Sequence, residues 1–72
     1  MNRIEAFGQV ISDERHRLGY SQEALAEKSG LHRNFISLVE RGQTSAALDS
    51  IFALAAALDL PVSELFARIE RM

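Results

Sequence analysis

Apolar residues recur at helical spacing along the chain, and glycine or proline separates one run from the next. At the start of the chain, one set has intervals of three, four and seven residues, so it forms a single helical stripe that Val10 widens: Ile4, Phe7, Ile11 and Leu18. Four residues mark the breaks between runs: Gly19, Gly30, Gly42 and Pro61. No segment alternates apolar and polar residues over the length of a strand. The pattern therefore predicts an all-α fold of five helices.

The second and third helices are predicted to form a helix-turn-helix. Ser21 is a suitable N-cap for a short helix from Gln22 to about Ser29, and Gly30 can end it in the left-handed conformation. Only "GLH" joins this helix to the next, so the two must cross at a steep angle, and Ala26 suits a close contact. The buried side is expected to consist of Leu25, Leu31, Ile36 and Val39. Polar residues are left to face outward: Gln22, Arg33, Asn34 and Ser37.

The fourth helix, before Pro61, and the fifth, which begins at Pro61, carry more apolar surface than one small core needs. One face of the fourth helix is expected to pack inward: Leu48, Ile51, Leu54, Ala55 and Leu58. Its other side is uncharged, which favours burial against a second copy of the chain. The expected dimer interface is Phe52, Ala53, Ala56, Phe66 and Ile69. An alternative stays open, in which Phe52 and Phe66 complete the core of a monomer.

Composition limits the other classes of function. A chain of 72 residues without cysteine forms one domain that disulfides cannot stabilise, so association is the remaining support. Its uncharged runs are too short for a membrane span or a signal peptide, which favours a cytoplasmic protein without membrane contact. Two distant histidines predict neither a metal site nor a cofactor. No catalytic motif is present, although a nucleophile, a base and an orienting acid can be assembled on paper from Ser21, Ser37, His32 and Glu40.

Three segments in register, "RLGYSQEALAEKSGL", "ISLVERG" and "LDLPVSELF", resemble the Cro/repressor (XRE-type) helix-turn-helix regulators from about Phe7 to Phe66. The resemblance implies binding to double-stranded DNA, with Gln22 at a phosphate and against the third helix. It implies a major-groove set of His32, Arg33, Asn34 and Ser37, and a phosphate set of Arg41, Gln43 and Thr44. It also implies an ion pair between Arg15 and Glu40.

The chemistry of these side chains fits the implied roles. Arg33 can donate two hydrogen bonds to guanine, and Asn34 can pair with adenine, while Leu38 either contacts a thymine methyl group or is half-buried. The net charge of −2 looks unsuited to DNA, but it is unevenly distributed. Residues 15–41 contain five basic and three acidic residues, whereas residues 1–14 and 42–72 are each acidic by two charges. The predicted DNA-binding unit is therefore locally positive.

The sequence thus predicts one domain over residues 1–72, with the helix-turn-helix at about 21–41 and the fourth and fifth helices at about 47–70. The expected function is a homodimeric transcription regulator on a palindromic operator, similar to small phage repressors or restriction-modification controller proteins. The exposed Glu23 and Glu27 could contact RNA polymerase. The alternative is a protein-association module, such as an antitoxin or a partner subunit. The operator sequence and the sign of regulation are left open.

Overall fold

The computed structural model describes all residues 1–72 and contains five helices and no strand. The helices are α1 (Arg3–Arg17), α2 (Gln22–Ser29), α3 (Arg33–Glu40), α4 (Leu48–Ala57) and α5 (Val62–Glu70). The all-α prediction, with a helix-turn-helix at α2 and α3, is confirmed.

Local signals fix the helix ends. The Ser21 side chain accepts a hydrogen bond from the Ala24 amide (3.0 Å) and caps α2, and Gly30 ends α2 at a φ of 73°. At α1, the Asn2 side chain accepts from the Glu5 amide (2.8 Å), and the Glu5 carboxylate accepts from the Asn2 amide (3.0 Å). This reciprocal capping box was not identified from the sequence. Pro61 lies one residue before α5 rather than inside it.

The core forms where α1 packs on α3 and α5 while α2 packs on α3 and α4. Its seven fully buried large side chains come from all five helices and from the residue that ends α4: Ile11, Leu25, Ile36, Val39, Leu54, Leu58 and Leu65. Helix α3 is therefore held from two sides by elements of the same small core. Such packing fixes the direction in which its remaining, polar side faces.

Two residues assigned to the inward stripes are exposed, which corrects the sequence prediction. Ile4 lies in the first turn of α1, and Leu48, which is 65% exposed, is the first residue of α4. Both lie on the expected side of their helices, but at the edge of the packed layer. Helical period predicts the side of a helix that faces the core, but not how far the neighbouring helix extends along it.

Helices α1 and α3 approach closely at Gly8, a position that the sequence reasoning did not use. A Cβ atom on Gly8 would overlap the carbonyl oxygen of Val39 in α3. The predicted close-contact residue, Ala26, is half-buried at the edge of the core, and its carbonyl accepts a hydrogen bond from the Gly30 amide (2.9 Å). The close backbone contact with the helix-turn-helix is therefore made by α1, at Gly8.

No helix of the structure has, by itself, the length and hydropathy of a membrane span. Helices α4 and α5 pass that test only when taken together, and they meet at a bend of 103°.

Candidate nucleic-acid interface

Helix α3 has one buried side and one open side. Ile36 and Val39 are completely buried against the core, as predicted from the sequence. The opposite arc is formed by five residues at successive helical angles: Arg33, Asn34, Ser37, Leu38 and Arg41. Arg33 and Asn34 are exposed and Ser37 is half-buried. The arc thus presents polar side chains along the whole length of the helix.

Leu38 lies within this arc. Its side chain is 37% exposed, so it is not part of the core. Of the two roles left open by the sequence, the exposed position leaves Leu38 available for apolar contact with a ligand.

His32 is the N-cap of α3. Its Nδ1 accepts a hydrogen bond from the Asn34 amide at 3.1 Å. A neutral imidazole that accepts through Nδ1 carries its proton on Nε2, and the residue is exposed. His32 therefore combines a capping role with a free N–H donor at the start of the open arc.

An ion pair joins the end of α1 to the end of α3, at the two residues for which the resemblance implies it. Arg15 donates from Nε to Glu40 Oε2 (2.7 Å) and from Nη2 to Glu40 Oε1 (2.9 Å), and the two side chains are 10% and 6% exposed. The hydrogen bond to Glu40 is the main reason why the pKa of Arg15 is raised. Arg15 also donates from Nη1 to the Tyr20 carbonyl (2.8 Å). One guanidinium thus connects α1, α3 and the segment before α2.

Gln22 completes this cluster from α2. Its Nε2 donates to Glu40 Oε1 at 3.1 Å, and the residue is half-buried. The side-chain amide has two N–H donors, so one remains for a further acceptor. Gln22 therefore contacts the end of α3, as the resemblance implies, and keeps one side-chain N–H donor free.

The three residues after α3 that are predicted to contact phosphates differ in their exposure and in the hydrogen bonds that they already make. Arg41 and Gln43 are exposed, and Arg41 Nε donates to the Ser37 carbonyl at 3.3 Å. Thr44 is half-buried, and its hydroxyl donates to the Ser45 carbonyl at 3.3 Å. A phosphate contact by Thr44 therefore requires its hydroxyl to rotate away from Ser45.

Three ionic contacts on this surface and behind it were missed by the sequence reasoning. On the open side, Arg33 Nε lies 3.2 Å from Glu23 Oε2. Behind the helix-turn-helix, the buried Glu14 accepts from Arg17 Nη2 (2.6 Å) and from Arg68 Nη1 (2.8 Å). These hydrogen bonds, first of all that from Arg17, lower the pKa of Glu14 against the opposing effect of burial. The contacts of Glu23 with Arg33 and of Glu14 with Arg68 join different helices, whereas Glu14 and Arg17 both lie in α1.

The five residues predicted to form the dimer interface differ in how far they are exposed. Phe52 (53%) and Phe66 (40%) are strongly exposed, Ala56 is exposed, and Ala53 and Ile69 are half-buried. Phe66 and Ile69 line an open apolar cleft of about 510 Å³ that extends to Ile51 of α4. Phe52 follows Ile51 in α4 but does not itself line the cleft, and its ring is exposed outside it.

No three His, Asp or Glu side chains are grouped so that they could hold a metal ion.

Comparison with known proteins gives concordant results. The helix-turn-helix family model matches residues 11–65. The chain is 39% identical over 68 residues to the control protein C.SmaI of Serratia marcescens, covering 94% of this chain and 81% of the relative. It superimposes on the restriction-modification controller protein C.AhdI from Aeromonas hydrophila with a TM-score of 0.84 at 46% identity, covering 88% and 96% of the two chains. The controller protein C.Esp1396I, solved as a tetramer in complex with its natural 35 base-pair operator, gives a TM-score of 0.90 at 27% identity over 99% of this chain and 93% of its own.

Proposed function

The chain belongs to the Cro/repressor (XRE-type) helix-turn-helix family, and we propose that it is a transcription regulator that binds a palindromic DNA operator as a homodimer. Helix α3 enters the major groove with its open arc, and α2 lies across the sugar-phosphate backbone. Its similarity to C.SmaI and C.AhdI favours a controller of a restriction-modification system. Because the proposed target is a DNA operator, the proposed location is the cytoplasm.

The observation that carries the proposal is the division of α3 into two sides. Ile36 and Val39 are completely buried, while Arg33 and Asn34 project from the opposite side without a hydrogen bond from their side chains to any other residue. Arginine and asparagine are the side chains that pair bidentately with guanine and with adenine. A helix that is rigidly held and open on its polar side is suited to reading base edges.

Contacts to the DNA backbone are assigned to residues on both sides of α3. Gln22 keeps an N–H donor, and Arg41 and Gln43 are exposed beyond the end of the helix. Neutral donors contribute much of the phosphate contact in protein–DNA complexes, so the acidic net charge does not prevent binding. The small local excess of positive charge predicts a shallow dependence of affinity on salt.

The dimer is proposed to form through α4 and α5. Phe52 and Phe66 are exposed aromatic side chains, and Phe66 also lines the apolar cleft; small monomeric domains rarely leave so much apolar surface uncovered. Leu48, which the sequence placed in the core, adds to this exposed surface. A two-fold axis here would place two copies of α3 about 34 Å apart, one helical turn of DNA.

Contact with RNA polymerase is assigned to Glu27. Glu23 is already paired with Arg33, whereas Glu27 is exposed on α2 and makes no ion pair within the chain. The proposal assigns no reaction to this protein. The groups that resemble a catalytic set on paper have structural tasks, because Ser21 and His32 cap helices and Glu40 is bound by Arg15.

The experiment is selection of bound sequences from a pool of random double-stranded DNA, followed by affinity measurement on the enriched site. An inverted repeat is expected, because a two-fold dimer reads the same half-site twice. Arg33→Ala should lower specific affinity by about 1 to 3 kcal/mol and relax the preference at one base pair of each half-site.

The matched control is Arg71→Ala, which removes one exposed positive charge from the residue that follows α5, outside the helix-turn-helix. It should leave the preference at every base pair unchanged. Failure to enrich any sequence, together with recovery of a tight protein partner, would contradict DNA binding and favour the protein-association module.

A further inference from the structure

The contact between Glu23 and Arg33 is the one ion pair on the open side of the helix-turn-helix. Glu23 lies in the first turn of α2 and Arg33 is the first residue of α3, and their side chains are 68% and 51% exposed. Exposed pairs of this kind contribute little to folding stability. The contact therefore needs an explanation other than stability.

The geometry leaves the guanine-binding edge of Arg33 free. The nitrogen of Arg33 nearest to the carboxylate is Nε, which lies 3.2 Å from Oε2 of Glu23 without forming a hydrogen bond. The Arg33 side chain donates no hydrogen bond to any other group, so both terminal nitrogens are unoccupied. A guanidinium is planar, with its donors in fixed directions, so attraction of Nε to the nearby carboxylate favours orientations that turn the terminal nitrogens away from Glu23.

The carboxylate also changes which DNA groups Arg33 prefers. An exposed arginine by itself binds any phosphate, and phosphate contacts carry no sequence information. With Glu23 beside the guanidinium, a phosphate that approaches Arg33 also approaches a negative charge, which disfavours that contact. Guanine N7 and O6 are uncharged acceptors in the major groove and suffer less from the same carboxylate.

We propose that Glu23 is a positioning residue for base recognition, which directs the terminal nitrogens of Arg33 to a guanine and disfavours their contact with phosphates. This inference rests on the proposed function. It makes the acidic residue of α2 a determinant of specificity, although it reduces the total attraction to DNA.

Glu23→Gln tests the proposal, and Glu27→Gln is the matched control. Both residues are exposed glutamates of α2, and the two substitutions remove the same charge, but only Glu23 is paired. Affinity is measured for the selected operator and for an operator in which the base pair read by Arg33 is replaced. That base pair is the one at which Arg33→Ala loses discrimination.

Glu23→Gln should tighten binding to the replaced operator more than to the selected one. The discrimination ratio should fall by about threefold to tenfold, a part of the roughly 10- to 100-fold that one bidentate contact supplies. Glu27→Gln should shift both affinities by the same factor and leave the ratio unchanged. Thermal unfolding of both variants should match that of the parent protein, because neither side chain is buried.

A double variant separates positioning from a general charge effect. In an Arg33→Ala background, Glu23→Gln should have no further effect on discrimination at that base pair. Equal ratios for Glu23→Gln and Glu27→Gln, or a Glu23 effect that persists without Arg33, would overturn the positioning role while the proposed function stands. If the parent protein enriches no DNA sequence at all, the proposed function fails and this inference fails with it.

Discussion

Replacement of Glu40 by leucine should destabilise the protein strongly, because it removes the carboxylate shared by three helices. Glu40 accepts two hydrogen bonds from Arg15 and one from Gln22. The variant leaves the Arg15 guanidinium in place, 10% exposed and with only the Tyr20 carbonyl as its partner. A buried charge without a counter-charge is the most costly result of breaking such a pair.

The expected loss is about 3 to 5 kcal/mol for one stranded buried charge. The whole free energy of unfolding of a chain of this length is about 4 to 11 kcal/mol, at roughly 0.05 to 0.15 kcal/mol per residue. Each kcal/mol lowers the melting temperature of so small a domain by about 4 to 8 °C. Glu40→Leu should therefore lower the melting temperature by at least about 12 °C.

Urea unfolding followed by circular dichroism measures this loss, and a second variant identifies its cause. In Arg15→Met with Glu40→Leu no charge is stranded, so the double variant should recover most of the lost stability. A loss below about 1 kcal/mol for Glu40→Leu alone, or equal losses for the single and double variants, would refute the reasoning.

Three further predictions concern α1, the buried acid and the dimer. Gly8→Ala should lower the free energy of unfolding by more than about 2 kcal/mol, because the new Cβ overlaps the Val39 carbonyl oxygen. This loss outweighs the better helix propensity of alanine. Unchanged urea unfolding would contradict the close approach of α1 to α3. The pKa of Glu14 is lowered in the folded state, mainly by a hydrogen bond from Arg17. The contribution of this carboxylate to stability is therefore present above the ordinary value of 4.5 and is lost as the pH falls through the folded pKa. Glu14→Gln should flatten the acid side of a stability–pH curve, and an acid slope identical to that of the parent protein would exclude this role. Phe52→Glu should shift sedimentation toward the monomer with little change in monomer helicity, because the ring is 53% exposed, and an unchanged dimer would place the interface elsewhere.

Features that depend on residues close to one another in the sequence were predictable from it. Ser21 and Gly30 mark the ends of α2 because capping and left-handed backbone are local preferences, and the structure has both. The buried sides of α2 and α3 followed from helical period, which places Leu25, Ile36 and Val39 on the inner faces.

Features that depend on how helices meet were not predictable in this way. Arg15 and Glu40 lie 25 residues apart, so their pairing was implied by the family resemblance alone. The contact of Glu14 with Arg68 spans 54 residues, and nothing in a single sequence indicates which acid meets which base across that distance. Gly8 looked like an ordinary weak helix residue, because only the position of α3 shows that a larger side chain cannot fit.

The central claim is that the open arc of α3 contacts the bases of DNA. Nuclear magnetic resonance titration of labelled protein with its selected operator measures this contact directly. The account predicts that the largest changes occur in the side chains of Arg33 and Asn34 and around Gln22, with α5 unaffected in a dimer that is already formed. Changes confined to α4 and α5, with Arg33 and Asn34 unperturbed by bound DNA, would contradict it.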